Sequence, residues 1–295
     1  MNQKKTDDNL LRRVRFAGSW YEADPVLLDK QLDAFLLEGK LSALPNPPLS
    51  DASSVKAIIV PHAGYAYSGI TAASAYAGCQ PGVKRVILLG PSHYLPFHGI
   101  GLSSMEAFET PLGNIPVDRD VMVRLGEHPL CFNHDEAHCL DHSLEMQLPF
   151  IKKVFPTARL VPLLVGELKD EEEIKGFSSH LASFLDPEDV LVVSSDFTHY
   201  GPRFGYTPFQ GDVEENIRRL DRSAYHFLEH HDLLGFLQFK KKTQTTICGF
   251  YSLALLISLL RKETQASLLA YHTSREAAKG ETENSVSYLA IAFFE

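Results

Sequence analysis

Two histidines, each set just past the end of a short apolar run, are the residues best placed for chemistry in this sequence. The first stands in Lys56-Ala57-Ile58-Ile59-Val60-Pro61-His62-Ala63-Gly64-Tyr65, the second in Arg85-Val86-Ile87-Leu88-Leu89-Gly90-Pro91-Ser92-His93-Tyr94. Neutral imidazoles suit iron, copper or zinc, and two of them with one anionic donor leave coordination positions open for a substrate. A lone histidine at such a place is usually a packing residue, whereas two in matching contexts argue for one shared cleft. A third polar turn, Ser194-Ser195-Asp196-Phe197-Thr198-His199, follows the run 189–193. Asp196 and His199 could steady the ligands there or act as a base near bound substrate. Cys248 follows Thr245-Thr246-Ile247 and precedes Gly249 at a predicted helix start. A thiolate there would be stabilised by the helix N-terminus and a bound cation, although lone cysteines are commonly just small buried hydrophobes.

Glu145, in His142-Ser143-Leu144-Glu145, is the carboxylate alternative to Cys248 as the third donor, with His142 pointing to the cleft. The surrounding stretch 133–142 places histidines four residues apart, which would share a face on a helix. Its Asp and Glu content instead favours a solvated loop. Tyr65, Tyr67, Tyr94 and Tyr200 each flank a candidate ligand, so they either line a pocket for an aromatic or extended ligand or simply pack.

The elements that must position these groups read as one α/β domain over 1–295 with a mixed central sheet flanked by helices. Continuous β-branched runs that stop at Pro or Gly predict strands buried on both faces at 57–60, 86–89, 159–165 and 189–193. In open α/β sheets, ligands bind outside the carboxyl ends of the strands. The first two runs, taken as neighbours, with a small-residue helix over 68–77 between them, form a βαβ unit. Further helices are expected near 26–36, 118–125, 171–185, 212–231 and 249–262. Strands are expected near 99–103, 113–117, 267–271 and 286–292. Residues 1–13 read as a frayed tail, and Leu44-Pro45-Asn46-Pro47-Pro48 as a linker that cannot continue a helix.

Composition narrows the classes. The 295 residues are 44% hydrophobic and carry a formal charge of −9, which fits a globular protein and argues against a nucleic-acid surface. The four cysteines form no Cys-x-x-Cys pair, which disfavours a zinc knuckle and suits a reduced, cytoplasmic protein. No apolar stretch reaches the roughly 18 residues of a membrane span. Glycine-rich phosphate loops and the Gly-x-Ser-x-Gly elbow are both missing.

Taken together and in order, Ala17-Gly18-Ser19-Trp20-Tyr21, Pro61-His62-Ala63-Gly64-Tyr65, Leu89-Gly90-Pro91-Ser92-His93, His142-Ser143-Leu144-Glu145, Ser194-Ser195-Asp196-Phe197, Ile247-Cys248-Gly249 and Ser285-Val286-Ser287-Tyr288 resemble the MEMO family, from about Arg15 to the C-terminus. The resemblance implies a fold similar to the LigB-type class III extradiol dioxygenases. It implies Fe(II) or Cu held by His62, His93 and Cys248, with Asp196 and His199 beside them as catalytic groups. Cys248 stands where those dioxygenases carry a glutamate, which argues against ring cleavage itself, since a thiolate changes metal preference and redox potential. The implied roles are a metal-dependent oxidoreductase, a binding module for a phosphopeptide or aromatic ligand, or an iron- or copper-handling protein. For the binding module, no arginine cluster of the kind that phosphate recognition favours is evident. The resemblance also implies a functional link to radical-SAM and AMMECR1-like proteins, and no nucleic-acid or membrane partner.

Overall fold

The computed structural model describes residues 10–42, 54–277 and 283–295; the predicted linker 44–48 lies outside them. Four of the apolar runs form the parallel centre of a nine-stranded mixed sheet, in the order Val55–Val60, Asp189–Ser194, Arg85–Pro91, Arg159–Val165. Every residue of Asp189–Ser194 is buried. Side chains of a strand alternate between faces, so complete burial means that both faces are covered. On one flank Ser285–Phe294 pairs antiparallel with Val55–Val60, and Gln265–Thr273 and His199–Tyr200 pair with it in turn. On the other, Ile100–Leu102 runs antiparallel to Arg159–Val165 and parallel to Cys131–Asn133.

The sheet order corrects one expectation. The two strands that precede His62 and His93 are not neighbours, because Asp189–Ser194 lies between them. All four central strands have two hydrogen-bonded neighbours, so their apolar character alone does not set their order. The register keeps the strand ends level: Val60 lies opposite Ser194 and Leu89 opposite Val193. The turns carrying His62, His93 and Asp196 therefore leave one edge of the sheet together.

Helix Pro25–Ser42 begins where the Asp24 carboxylate accepts from the backbone N–H groups of Val26 and Leu27. It packs on Tyr65–Tyr76, and a Cβ on its Gly39 would come within 2.7 Å of the Ser74 nitrogen. Helix Phe250–Leu259 packs on Arg85–Pro91 and Asp189–Ser194. The expected helix over 212–231 ends at Glu229, and a second, Leu233–Thr243, follows it. That second helix starts at Asp232, whose carboxylate accepts from the Gly235 N–H at 2.8 Å. Its lysine run, 240–242, reads as a solvated surface in sequence and hides the buried face formed by Leu233, Phe236 and Phe239.

Two further expectations are corrected. Residues 10–13 are not a frayed tail, since Leu11–Arg12 pairs with Ala107–Phe108 in a small three-stranded sheet and Arg12 is buried. The stretch 133–142 is not a solvated loop but contains the helix Asp135–Leu140. The Asp135 carboxylate accepts from Ser103, Ser104 and Asn133, so the acidic content that suggested solvation is bound locally. His138 is buried, with Nε2 at 2.9 Å from the Gly101 carbonyl, and burial lowers its pKa to about 4. It has no part in the cleft.

Candidate metal centre

At the carboxyl edge of the sheet, His62, His93 and Cys248 converge, each offering one ligand atom, with these atoms within 4.8 Å of one another. The Cys248 sulfur lies 3.1 Å from His62 Nε2, and the two imidazole ring centres are 5.1 Å apart. Cys248 reaches this point because the chain before helix Phe250–Leu259 runs against the 194–195 turn. A Cβ on Gly249 would sit 2.6 Å from the Ser195 side chain, so only glycine permits this approach.

The hydrogen bonds behind each imidazole fix its tautomer. Ser194 Oγ donates to the Ser143 carbonyl at 2.6 Å and accepts from Gln147 Nε2 at 2.9 Å. With its one proton so engaged, Ser194 must accept from His62 Nδ1 at 3.0 Å, which leaves the His62 Nε2 lone pair facing Cys248. Burial, then the neighbouring His93, His142 and His199, push the His62 pKa well below the usual value, so this ring is neutral. His93 Nδ1 donates to Asp141 Oδ1 at 3.2 Å, which turns His93 Nε2 toward the cleft. Burial opposes charge on His93, yet hydrogen bonds to Asp141 and Cys248 outweigh it and raise the pKa to about 10. Burial likewise works against charge on Asp141, but its bonds to His93 hold the carboxyl at about 2. Burial raises the Cys248 thiol pKa. A cation entering the site would therefore displace protons held on the His93 and Cys248 side.

Asp196 joins this group, but its carboxylate is engaged with backbone: Oδ1 accepts from the His62 N–H at 2.8 Å. Its own N–H points at Cys248 Sγ at 3.2 Å, so Asp196 ties the His62 turn to the cysteine. Burial raises its pKa. His199 donates from Nδ1 to the Phe197 carbonyl at 2.9 Å, which fixes the ring's orientation. His142 stacks on His93 with centres 4.4 Å apart and also packs against Trp20, and burial lowers its pKa to about 4. Tyr94 is 50% exposed and lies edge-on to His142 at the mouth of the cleft.

Two expected cleft residues lie elsewhere. Glu145 cannot serve as the third donor, because its carboxylate is consumed by Arg12, the N–H groups of Arg15 and Phe16, and the Tyr21 hydroxyl. Tyr65 is buried among Tyr21, Phe35 and Phe150 and donates to the Met146 carbonyl, so it packs rather than lining a pocket. Sequence reading missed Asp141, Ser194 and Gln147. Asp141 immediately precedes His142, and a carboxylate next to a candidate ligand was the available signal; Ser194 opens the third polar turn but had been given no role, and Gln147 gave no signal.

A family profile described as Memo-like protein matches residues 12–292. The chain is 35% identical to the MEMO1 protein of Xenopus laevis, over 96% of this chain and 97% of that protein. Identity to MEMO1 of Homo sapiens is 33%, covering 95% and 96% respectively. Against the memo-1 homolog of Caenorhabditis elegans it is also 33%, covering 96% and 82%. Among solved structures, that of an uncharacterized protein, JW3007, from Escherichia coli K12 is similar in fold, with a TM-score of 0.50 at 16% identity. It matches 81% of this chain and 99% of that one.

Proposed function

This chain belongs to the Memo-like protein family, and from that premise we propose that His62, His93 and Cys248 hold a redox metal, Fe(II) or Cu, in a metal-dependent oxidoreductase of LigB-like scaffold. The observation that carries this reading is the donor set: two imidazoles whose Nδ1 atoms are already committed, facing one sulfur. Two borderline nitrogen donors and a thiolate suit iron or copper, and they leave the cleft side of the site open. Such a metal would supply electron transfer and polarise a bound ligand.

The protein's own groups do the rest. Asp141 and Ser194 orient the two rings, and Asp196 keeps the His62 turn and Cys248 in register. His199, its Nδ1 committed to the Phe197 carbonyl, is the group that would exchange a proton with a ligand through Nε2. His142, Trp20 and Tyr94 form an aromatic wall beside His93 that suits a planar ligand. The four cysteines are free, and among the described residues no helix is long and apolar enough to cross a membrane. Both are consistent with a cytoplasmic setting, where radical-SAM and AMMECR1-like proteins would be functional companions.

Anaerobically purified protein is expected to take up about one Fe or Cu per chain. His62→Ala should lose that metal while remaining folded. Wild-type protein that stays folded and binds neither metal would overturn the proposal.

A further inference from the structure

The helix Val213–Glu229 ends in a group of donor side chains that take no part in the cleft. His226 and His230 stand four residues apart, with Glu229 between them. Residues at that spacing share one face of a helix, a turn apart. His230, the first residue past the helix, has φ −99° and ψ 5°, close enough to helical to keep its ring on that face. The two ring centres are 4.2 Å apart. One ligand atom from each of His226, Glu229 and His230 lies within 4.8 Å of the other two.

The hydrogen bonds around the group hold it in place without using it up. His230 Nδ1 donates to the His226 carbonyl at 2.9 Å, which fixes this ring over the last turn. The Tyr225 hydroxyl donates to Glu229 Oε1 at 3.1 Å and so anchors the carboxylate, while Glu229 Oε2 lies 3.7 Å from His230 Nδ1. Among the described residues no lysine or arginine pairs with Glu229, and neither ring nitrogen of His226 has a hydrogen-bond partner. The C-terminal end of a helix is its negative end, where a cation is favoured. All three side chains are exposed, so a cation from solvent can reach them.

Exposed carboxylates alone commonly hold no ion. Two imidazoles one helical turn apart are different, because the backbone has already set the spacing of the chelate. Hard cations such as calcium and magnesium prefer oxygen donors, whereas imidazole nitrogen suits zinc and its neighbours. We propose that His226, Glu229 and His230 form a second metal site, which takes a borderline divalent cation of the zinc type and shares no residue with the His62–His93–Cys248 centre. Two imidazoles and one carboxylate are a zinc donor set that leaves the remaining position to water.

The test uses the full-length chain, freed of metal by a chelator and then equilibrated with Zn²⁺ at micromolar free concentration. Dialysis with metal analysis should show about one Zn²⁺ per chain fewer in His226→Ala than in wild type. His62→Ala should keep that ion. The second measurement places the ion: histidines of the wild type are modified with diethyl pyrocarbonate, and peptide mass spectrometry gives the rate at each. Zn²⁺ should slow modification of His226 and His230 by about tenfold or more, since a ligated nitrogen cannot react, and leave the exposed His98 unchanged. The same Zn²⁺ content in wild type and His226→Ala, or rates at His226 and His230 that Zn²⁺ does not alter, overturns the proposal. Both readouts concern residues outside the cleft, so either metal reading can fail while the other stands.

Discussion

Arg12→Ala is expected to destabilise the protein by about 3–5 kcal/mol, the range found when one partner of a buried ion pair is removed. Arg12 is 1% exposed and its guanidinium is fully engaged. Nε donates to the His138 carbonyl, one terminal nitrogen to the Asp141 carbonyl, and the other to Arg13 and Glu145. Alanine would leave the Glu145 carboxylate charged, buried and facing only backbone N–H groups and the Tyr21 hydroxyl. The same bonds fasten the segment carrying Phe16 and Trp20 over His142, so the loss should also loosen the aromatic wall of the cleft. Urea unfolding followed by circular dichroism measures the change. Pairing the substitution with Glu145→Gln should recover part of the loss, because the uncompensated charge is gone. A loss below about 1 kcal/mol in Arg12→Ala would show that Glu145 is stabilised without its partner.

Asp141→Asn is expected to weaken metal binding by about 10- to 100-fold, the usual consequence of removing the carboxylate behind a metal-bound imidazole. Asp141 accepts from both the N–H and Nδ1 of His93 and from the Ser143 N–H, so it sets the tautomer, the ring angle and the turn together. Asparagine keeps the shape but has no charge to hold the Nδ1 proton in place. Titration against a competing chelator gives the affinity, with the thermal transition of the metal-free variant as the control for folding. An affinity within twofold of wild type would mean that His93 needs no carboxylate to orient it.

What could be read from the sequence follows the range over which each signal acts. The four central strands are local events, because a continuous apolar run stopped by Pro or Gly announces itself within about eight residues. His62 and His93 were visible for the same reason, standing within four residues of the ends of such runs. Their placement across Asp189–Ser194, rather than side by side, was not visible, since strand order depends on pairings more than a hundred residues apart. Glu145 shows the same limit from the other side. Its neighbours His142 and Ser143 suggested a cleft, but its partner Arg12 lies 133 positions away in a segment that looks like a tail. The helix at Asp135–Leu140 was concealed because Asp135 is satisfied by Ser103 and Ser104, again from a distant turn. Cys248 was legible only as a candidate; what makes it a plausible donor is the glycine after it, which lets the chain close on Ser195.

The most direct test of the account is the spectrum of the metal-loaded protein beside that of Cys248→Ser, both prepared without oxygen and analysed for metal content. On the proposed reading, the sulfur, 3.1 Å from the His62 nitrogen, is a ligand of the metal. The wild type should therefore show a sulfur-to-metal charge-transfer band on loading with Cu(II) or oxidation of the iron, and Cys248→Ser should lose that band and bind metal more weakly. An unaltered spectrum and affinity in Cys248→Ser would contradict the His62–His93–Cys248 centre.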